Sequence, residues 1–272
     1  KGVCRVITLG GSSTYGTGVS DEYTWPVYLQ HFLGKGYEVI NMGIPAYSSV
    51  EHIIQTAFEV NDFKPDICMY YLGWNDARTM HVKNLSADYS NIHAATVLDT
   101  LYIFRLKHGE KSLFMRWLIK EVNRYFLAVD LTATYKHEKT QGMELIDARA
   151  LELYKRNIRS LIALCRARGI TPIMVPQLLN YSVLKANTPY GWLPYVNDRD
   201  LKEVMRVYNN TLRQVCEEEK VYFAQEVLDE VFTADDFCDE GHFSVKGNEK
   251  FARILARYMA GKFEKSGTNN AQ

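Results

Sequence analysis

The run Cys4-Arg-Val-Ile-Thr-Leu-Gly-Gly-Ser-Ser-Thr-Tyr-Gly-Thr-Gly18 changes character in its middle. Its first half is apolar and β-branched (Val6, Ile7, Leu9). Paired glycines then stop it, and small hydroxyl residues follow at once. This pattern predicts a buried strand that delivers Ser12 at its carboxyl end. In open α/β sheets, ligands bind outside that edge.

Outward from this strand the pattern repeats. Trp25, Tyr28, Leu29 and Phe32 recur at helical spacing, Pro26 is tolerated in a first turn, and Gly34 and Gly36 stop the helix. Tyr37 to Met42 predicts a second strand, and a helix follows from Ser48 or Ser49 to about Asp62. Ile67 to Leu72 predicts a third strand, ending at Gly73-Trp-Asn-Asp76. Further on, helices are expected over 143–167, 200–220 and 244–263, with strands at Ile170 to Val175 and Val221 to Ala224. Such alternation implies right-handed crossovers and a parallel sheet. The expected fold is α/β, a three-layer α/β/α sandwich with a parallel five-stranded sheet.

Two stretches leave the alternation. Residues 77–140 show no strand where one is due, and predict a helical insertion after the third strand. Within it Phe114, Leu118, Val122, Tyr125 or Phe126 and Val129 form an apolar stripe, and Arg116, Lys120 and Arg124 a basic one. The pair reads as a lid packed on the body or as a membrane-surface contact facing anionic headgroups. Residues 177–197, rich in Tyr, Trp, Pro and Asn, predict a long loop at the same edge as Ser12.

With 272 residues, 47% of them apolar, the chain suits one domain over 1–265 with a polar, disordered tail at 266–272. Its 32 basic and 32 acidic residues cancel, so no global field favours nucleic acid. No apolar run has the roughly 18–20 residues that a membrane span needs. Five cysteines without a C-x-x-C read as buried free thiols. Seven scattered histidines and no H-E-x-x-H give no reason to expect a metal, and no cofactor is expected. The chain opens at Lys1, almost directly on a strand, which suggests N-terminal trimming and favours an extracytoplasmic or membrane-anchored setting.

The chemistry gathers at the strand ends. A serine hydroxyl needs an adjacent base to act as a nucleophile at neutral pH, and histidine suits that role. Asp239 precedes His242 by three residues, so one turn of chain can bring its carboxylate onto the ring and fix the tautomer. The oxyanion of acyl transfer needs preorganised donors. The backbone N–H groups of Ser12 and Gly43 and the side-chain amide of Asn75 are the candidates. Trp74, Tyr181 and Trp192 are candidates to line the substrate pocket. Competing readings fail on informative positions. Thr17 stands where a P-loop needs lysine, Asp21 where a dinucleotide fingerprint needs its third glycine, and Ser12 lacks G-x-S-x-G surroundings.

Four blocks, Gly10-Gly-Ser-Ser-Thr-Tyr-Gly16, Asn41-Met-Gly-Ile-Pro-Ala-Tyr47, Gly73-Trp-Asn-Asp76 and Asp239-Glu-Gly-His-Phe-Ser244, together resemble the SGNH hydrolase superfamily, the GDSL-type esterases and lipases. The resemblance runs from Leu9 to about Phe251. It implies Ser12 as nucleophile, His242 as base, Asp239 as its orienter, and Gly43 and Asn75 as oxyanion donors. It also implies hydrolysis of acetyl or short-acyl esters of carbohydrates, lipids or small molecules. An O-acyltransferase with the same triad, or a non-catalytic carbohydrate- or lipid-binding module on the same fold, are the alternatives. Gly11 departs from the family's usual aspartate before the serine. Nothing in the sequence speaks to the oligomeric state.

Overall fold

Strand β1 (Cys4–Gly10) pairs in parallel with β2 (Tyr37–Asn41) on one side and β3 (Ile67–Leu72) on the other. β4 (Thr171–Pro176) pairs with β3, and the two-residue β5 (Tyr222–Phe223) pairs with β4. The sheet is all parallel, in the order β2-β1-β3-β4-β5. This computed structural model describes residues 2–80, 87, 148–183 and 200–263.

The helices are α1 (Ser12–Tyr15), α2 (Trp25–Leu33), α3 (Ser49–Phe58), α4 (Trp74–Met80) and α5 (Ala148–Arg166), followed by α6 (Leu201–Glu219), α7 (Glu226–Asp229) and α8 (Val245–Phe263). Chain direction sorts them into layers. The step from β1 to β2 goes one way and the step back to β3 goes the other, so right-handed crossovers put α2 and α3 on opposite faces. The strands show the same division by residue parity. Ile7, Leu9, Cys68, Tyr70, Leu72 and Met174 pack in one core with residues of α5 and α6. Val6, Met69, Tyr71, Ile173 and Val175 pack in the other with Trp25, Leu29, Phe251 and Leu255. The expected three-layer α/β/α sandwich with a five-stranded parallel sheet is what the chain forms.

The strand order reverses between β1 and β3, so the loops leaving these two strands diverge and open a crevice at their carboxyl ends. Ser12 follows β1 there, and Asn75 follows β3. Of the expected insertion, residues 77–80 and 87 lie within the described residues, and α4 begins just after β3. The Phe114–Val129 stripe, the basic stripe, Trp192 and the 266–272 tail lie outside them. Among the described residues, no helix is long and apolar enough to cross a membrane. Cys68, Cys165 and Cys216 are buried as expected, whereas Cys238 is exposed.

Candidate active site

β1 runs straight into α1, so Ser12 is the first helical residue and its side chain stands at the mouth of the crevice. The Gly11 carbonyl closes the turn by accepting from the N–H groups of Thr14 and Tyr15, each at 3.0 Å. From the other end of the chain comes a tight hairpin. Phe237 and Phe243 pair as an antiparallel bridge, and Cys238 N–H donates to the His242 carbonyl at 2.8 Å. Phe243 is buried with its ring 4.9 Å from Phe251 and 5.2 Å from Phe237, which anchors the residue next to His242 in the core.

Inside this hairpin Asp239 Oδ1 accepts from the N–H groups of Gly241 at 2.9 Å and His242 at 2.8 Å. Its Oδ2 lies 2.6 Å from His242 Nδ1, and His242 Nε2 lies 2.7 Å from Ser12 Oγ. A carboxylate can only accept, so the ring proton belongs on Nδ1 and the Nε2 lone pair meets the serine hydroxyl. Partial burial works to raise the Asp239 pKa. The His242 ring and the two amides outweigh it and hold the carboxyl below its ordinary range. Two ties keep the hairpin in place: Ser13 Oγ donates to the Gly241 carbonyl at 2.7 Å, and Asn180 N–H to the Glu240 carbonyl at 2.8 Å. Nearby Asp236 is buried and structural. It accepts from Thr233 N–H and pairs with Lys246 and Lys250.

Across the crevice, Asn75 Nδ2 donates one proton to the Tyr47 carbonyl at 2.8 Å, which orients its amide. A Cβ at position 11 would overlap that amide, so glycine at this position leaves room for Asn75 where it stands. Asp76 follows. It is buried, and its Oδ1 accepts from Ser49 N–H at 2.9 Å, pinning the first turn of α3 and with it the loop that carries Tyr47. Burial pushes its carboxyl up to about 6. The sequence placed Asp76 in a block but gave it no task; its position directly after Asn75 was the available signal.

Gly43, expected as an oxyanion donor, lies after β2. Its N–H is buried and donates to Asn41 Oδ1 at 3.0 Å, so it is committed inside its own loop. Glycine is needed there for a different close approach, because a Cβ would overlap the backbone of Thr14 and Tyr15 in α1. Three residues on, Ala46 is exposed and has the left-handed φ of 68°. Among the described residues its N–H has no hydrogen-bond partner, and neither has that of Ser12. Sequence reasoning missed Ala46, since an alanine announces no positive φ.

Ser12, Tyr47, Tyr71, Trp74, Asn75 and Gln177 are among the residues that wall a small cavity of about 10 Å³. Trp74 is thus where a substrate-lining residue was expected. Tyr181, like Trp74, packs against the core on the α5 and α6 face. Burial pushes its phenol up to about 12, and it lies close enough to Tyr71 to raise that phenol's pKa as well. Among the described residues no cluster of His, Cys, Asp or Glu could hold a metal ion.

The GDSL-like Lipase/Acylhydrolase family profile matches residues 8–250. The chain belongs to this family. It is accordingly a serine ester hydrolase by family, and the hydrogen-bonded Ser12, His242 and Asp239 lie within the matched span. Solved structures share the fold at low identity. A GDSL-like lipase from Bacteroides thetaiotaomicron VPI-5482 is 14% identical with a TM-score of 0.52, over 96% of this chain and 88% of that one. The acetyl xylan esterase AlAXEase is 14% identical with a TM-score of 0.52, over 93% and 98%. A catalytic mutant of Axe2, an acetylxylan esterase from Geobacillus stearothermophilus, is 17% identical with a TM-score of 0.51, over 96% and 94%. No curated protein sequence matches the chain.

Proposed function

We propose that this GDSL-family hydrolase cleaves a short-acyl, acetyl-sized ester of a carbohydrate or other small alcohol through an acyl-enzyme on Ser12. The observation that carries the reading is the unbroken chain from Asp239 through His242 to Ser12, with contacts of 2.6 and 2.7 Å. In the first step Ser12 Oγ bonds to the ester carbonyl carbon while its proton passes to His242 Nε2. Asp239 remains a carboxylate and steadies the imidazolium. The oxyanion is met by the N–H groups of Ser12 and Ala46 and by the Asn75 amide. Ala46 takes the place that the sequence gave to Gly43. As the tetrahedral carbon collapses, the alcohol oxygen departs with the proton from His242. Water then repeats the sequence, releasing the carboxylic acid and restoring Ser12.

The short acyl group is supported by the size of the cavity beside Ser12, and the carbohydrate alcohol by the names of two fold neighbours, both acetylxylan esterases. Turnover of p-nitrophenyl acetate by Ser12→Ala is the test. A fall of roughly ten-thousand-fold or more is expected, and wild-type turnover would overturn the reading.

A further inference from the structure

We propose that the cavity beside Ser12 is a subsite for a hydroxyl group on the acyl part of the substrate, built by Tyr71 and Gln177. The proposal rests on the serine-esterase reading above and narrows its acyl group. Tyr71, next to the last residue of β3, is 2% exposed. Its phenol oxygen accepts two hydrogen bonds, from Gln177 Nε2 at 3.0 Å and from Leu178 N–H at 3.1 Å. Gln177 Nε2 also donates to the Leu178 carbonyl at 3.1 Å, which fixes the amide's orientation, since reversing it would set two oxygens against each other.

With both lone pairs of the phenol engaged, its proton is left to donate, and it has no acceptor among the described residues. Burial pushes the phenol's pKa well up, so the proton stays on. Gln177 Oε1 likewise accepts no hydrogen bond among the described residues. The strand end is nevertheless rigid. Gln177 N–H donates to Asn209 Oδ1 and its carbonyl accepts from Asn209 Nδ2, both at 2.9 Å. A buried donor without an acceptor is a cost that a matching ligand removes.

The cavity's location says which part of the ester it meets. The departing alcohol oxygen must face His242 to receive its proton. The described walls include Ser12 and Asn75 but not His242, which makes this the acyl side. About 10 Å³ is room for one atom the size of a water oxygen. A hydroxyl both donates and accepts, so it satisfies Tyr71 O–H and Gln177 Oε1 together, whereas a methyl satisfies neither. The chemistry recognised is an α-hydroxyacyl ester, with glycolyl the smallest example.

Ethyl glycolate and ethyl propionate form a matched pair, differing by hydroxyl for methyl at the relevant position. The ratio of their kcat/KM values corrects for binding of everything else. This ratio is expected to be at least about tenfold larger in the wild type than in Tyr71→Phe, because a site built to bond a hydroxyl discriminates against its absence. Gln177→Leu, which removes the acceptor, is expected to lower the ratio as well. Equal ratios in all three proteins would overturn the subsite. So would an equal fall on glycolate, propionate and acetate, which would put Tyr71 on the oxyanion instead. Fluorophosphonate labelling of Ser12 in the same preparations separates the two claims. A labelled wild-type enzyme whose ratio equals that of its variants loses only the subsite; an unlabelled, inactive one loses the serine mechanism with it.

Discussion

Three small residues around Ser12 are constrained by different neighbours, and substitution separates them. A Cβ at position 11 would clash with the end of the Asn75 side chain, which can swing away, and reach the Tyr47 carbonyl only at an ordinary contact distance of 3.6 Å. Gly11→Ala is therefore expected to leave stability nearly unchanged while kcat falls about 100-fold with little change in KM, the size of effect seen when one oxyanion donor is lost. A Cβ at position 43 meets backbone of α1 instead, which cannot yield cheaply. Gly43→Ala is expected to lower the urea midpoint by the equivalent of about 2 kcal/mol. If the Gly11 variant unfolded early and the Gly43 variant did not, this account of the two glycines would be reversed. Ala46 carries a left-handed φ of 68°, a strain of about 1 kcal/mol for a residue with a Cβ. Ala46→Gly should raise the melting temperature by about 2 °C, and a lower melting temperature would contradict the strain. These positions also mark where the sequence was hardest to read. Ser12, Asn75, Asp239 and His242 each stand at a strand end or in a short motif, and the fold gathers them as their spacing suggested. At Gly43 the close approach that a Cβ would block is to α1, and a glycine in a sequence does not say which neighbour comes near.

At the scale of elements, the strands and long helices were legible because each face of the sheet imposes its own periodicity. β3 is buried on both faces and reads as an uninterrupted apolar run. α1 was read as a turn, since its four residues are too few to show a helical period. The hairpin that holds Asp239 and His242 depends on an element outside the site. Asp236 is 0% exposed and receives Thr233 N–H at 2.8 Å and Lys250 Nζ at 3.3 Å, at the foot of the hairpin. Removing one partner of a buried charged cluster typically costs about 3 kcal/mol. Asp236→Ala should lose that much in a denaturant titration and also lose turnover, through a loosened His242. A variant as stable as the wild type would show that the hairpin stands without this carboxylate. At the other end of the crevice, Ser48 and Glu51 form a capping box at the start of α3. Ser48→Ala should cost about 1 kcal/mol.

Across the whole molecule, two buried titratable groups near the start of α3 pull the pH dependence of stability in opposite directions. Burial raises Asp76 from 3.8 to about 6, so the folded state binds the extra proton between those values and stability is lost as pH rises through them. Burial lowers His52 from 6.5 to about 4, so its contribution is lost as pH falls through that window. Each is on the order of 3 kcal/mol, and over pH 4 to 6 they largely cancel. Asp76→Asn removes the first limb alone. The variant should gain on the wild type by on the order of 3 kcal/mol between pH 4 and 6, and a pH-independent difference would contradict the buried ionised carboxylate. The central claim is more local: Ser12, and not the adjacent Ser13, is the nucleophile that His242 activates. Ser13 Oγ is bonded to the Gly241 carbonyl at 2.7 Å, while Ser12 Oγ is bonded to His242 Nε2 at the same distance. Mass spectrometry of the protein after treatment with a fluorophosphonate, followed by peptide mapping, tests this directly. One adduct on Ser12, with labelling slowed at least about a hundredfold in His242→Ala, is the predicted result; no adduct, or one on Ser13, would contradict it.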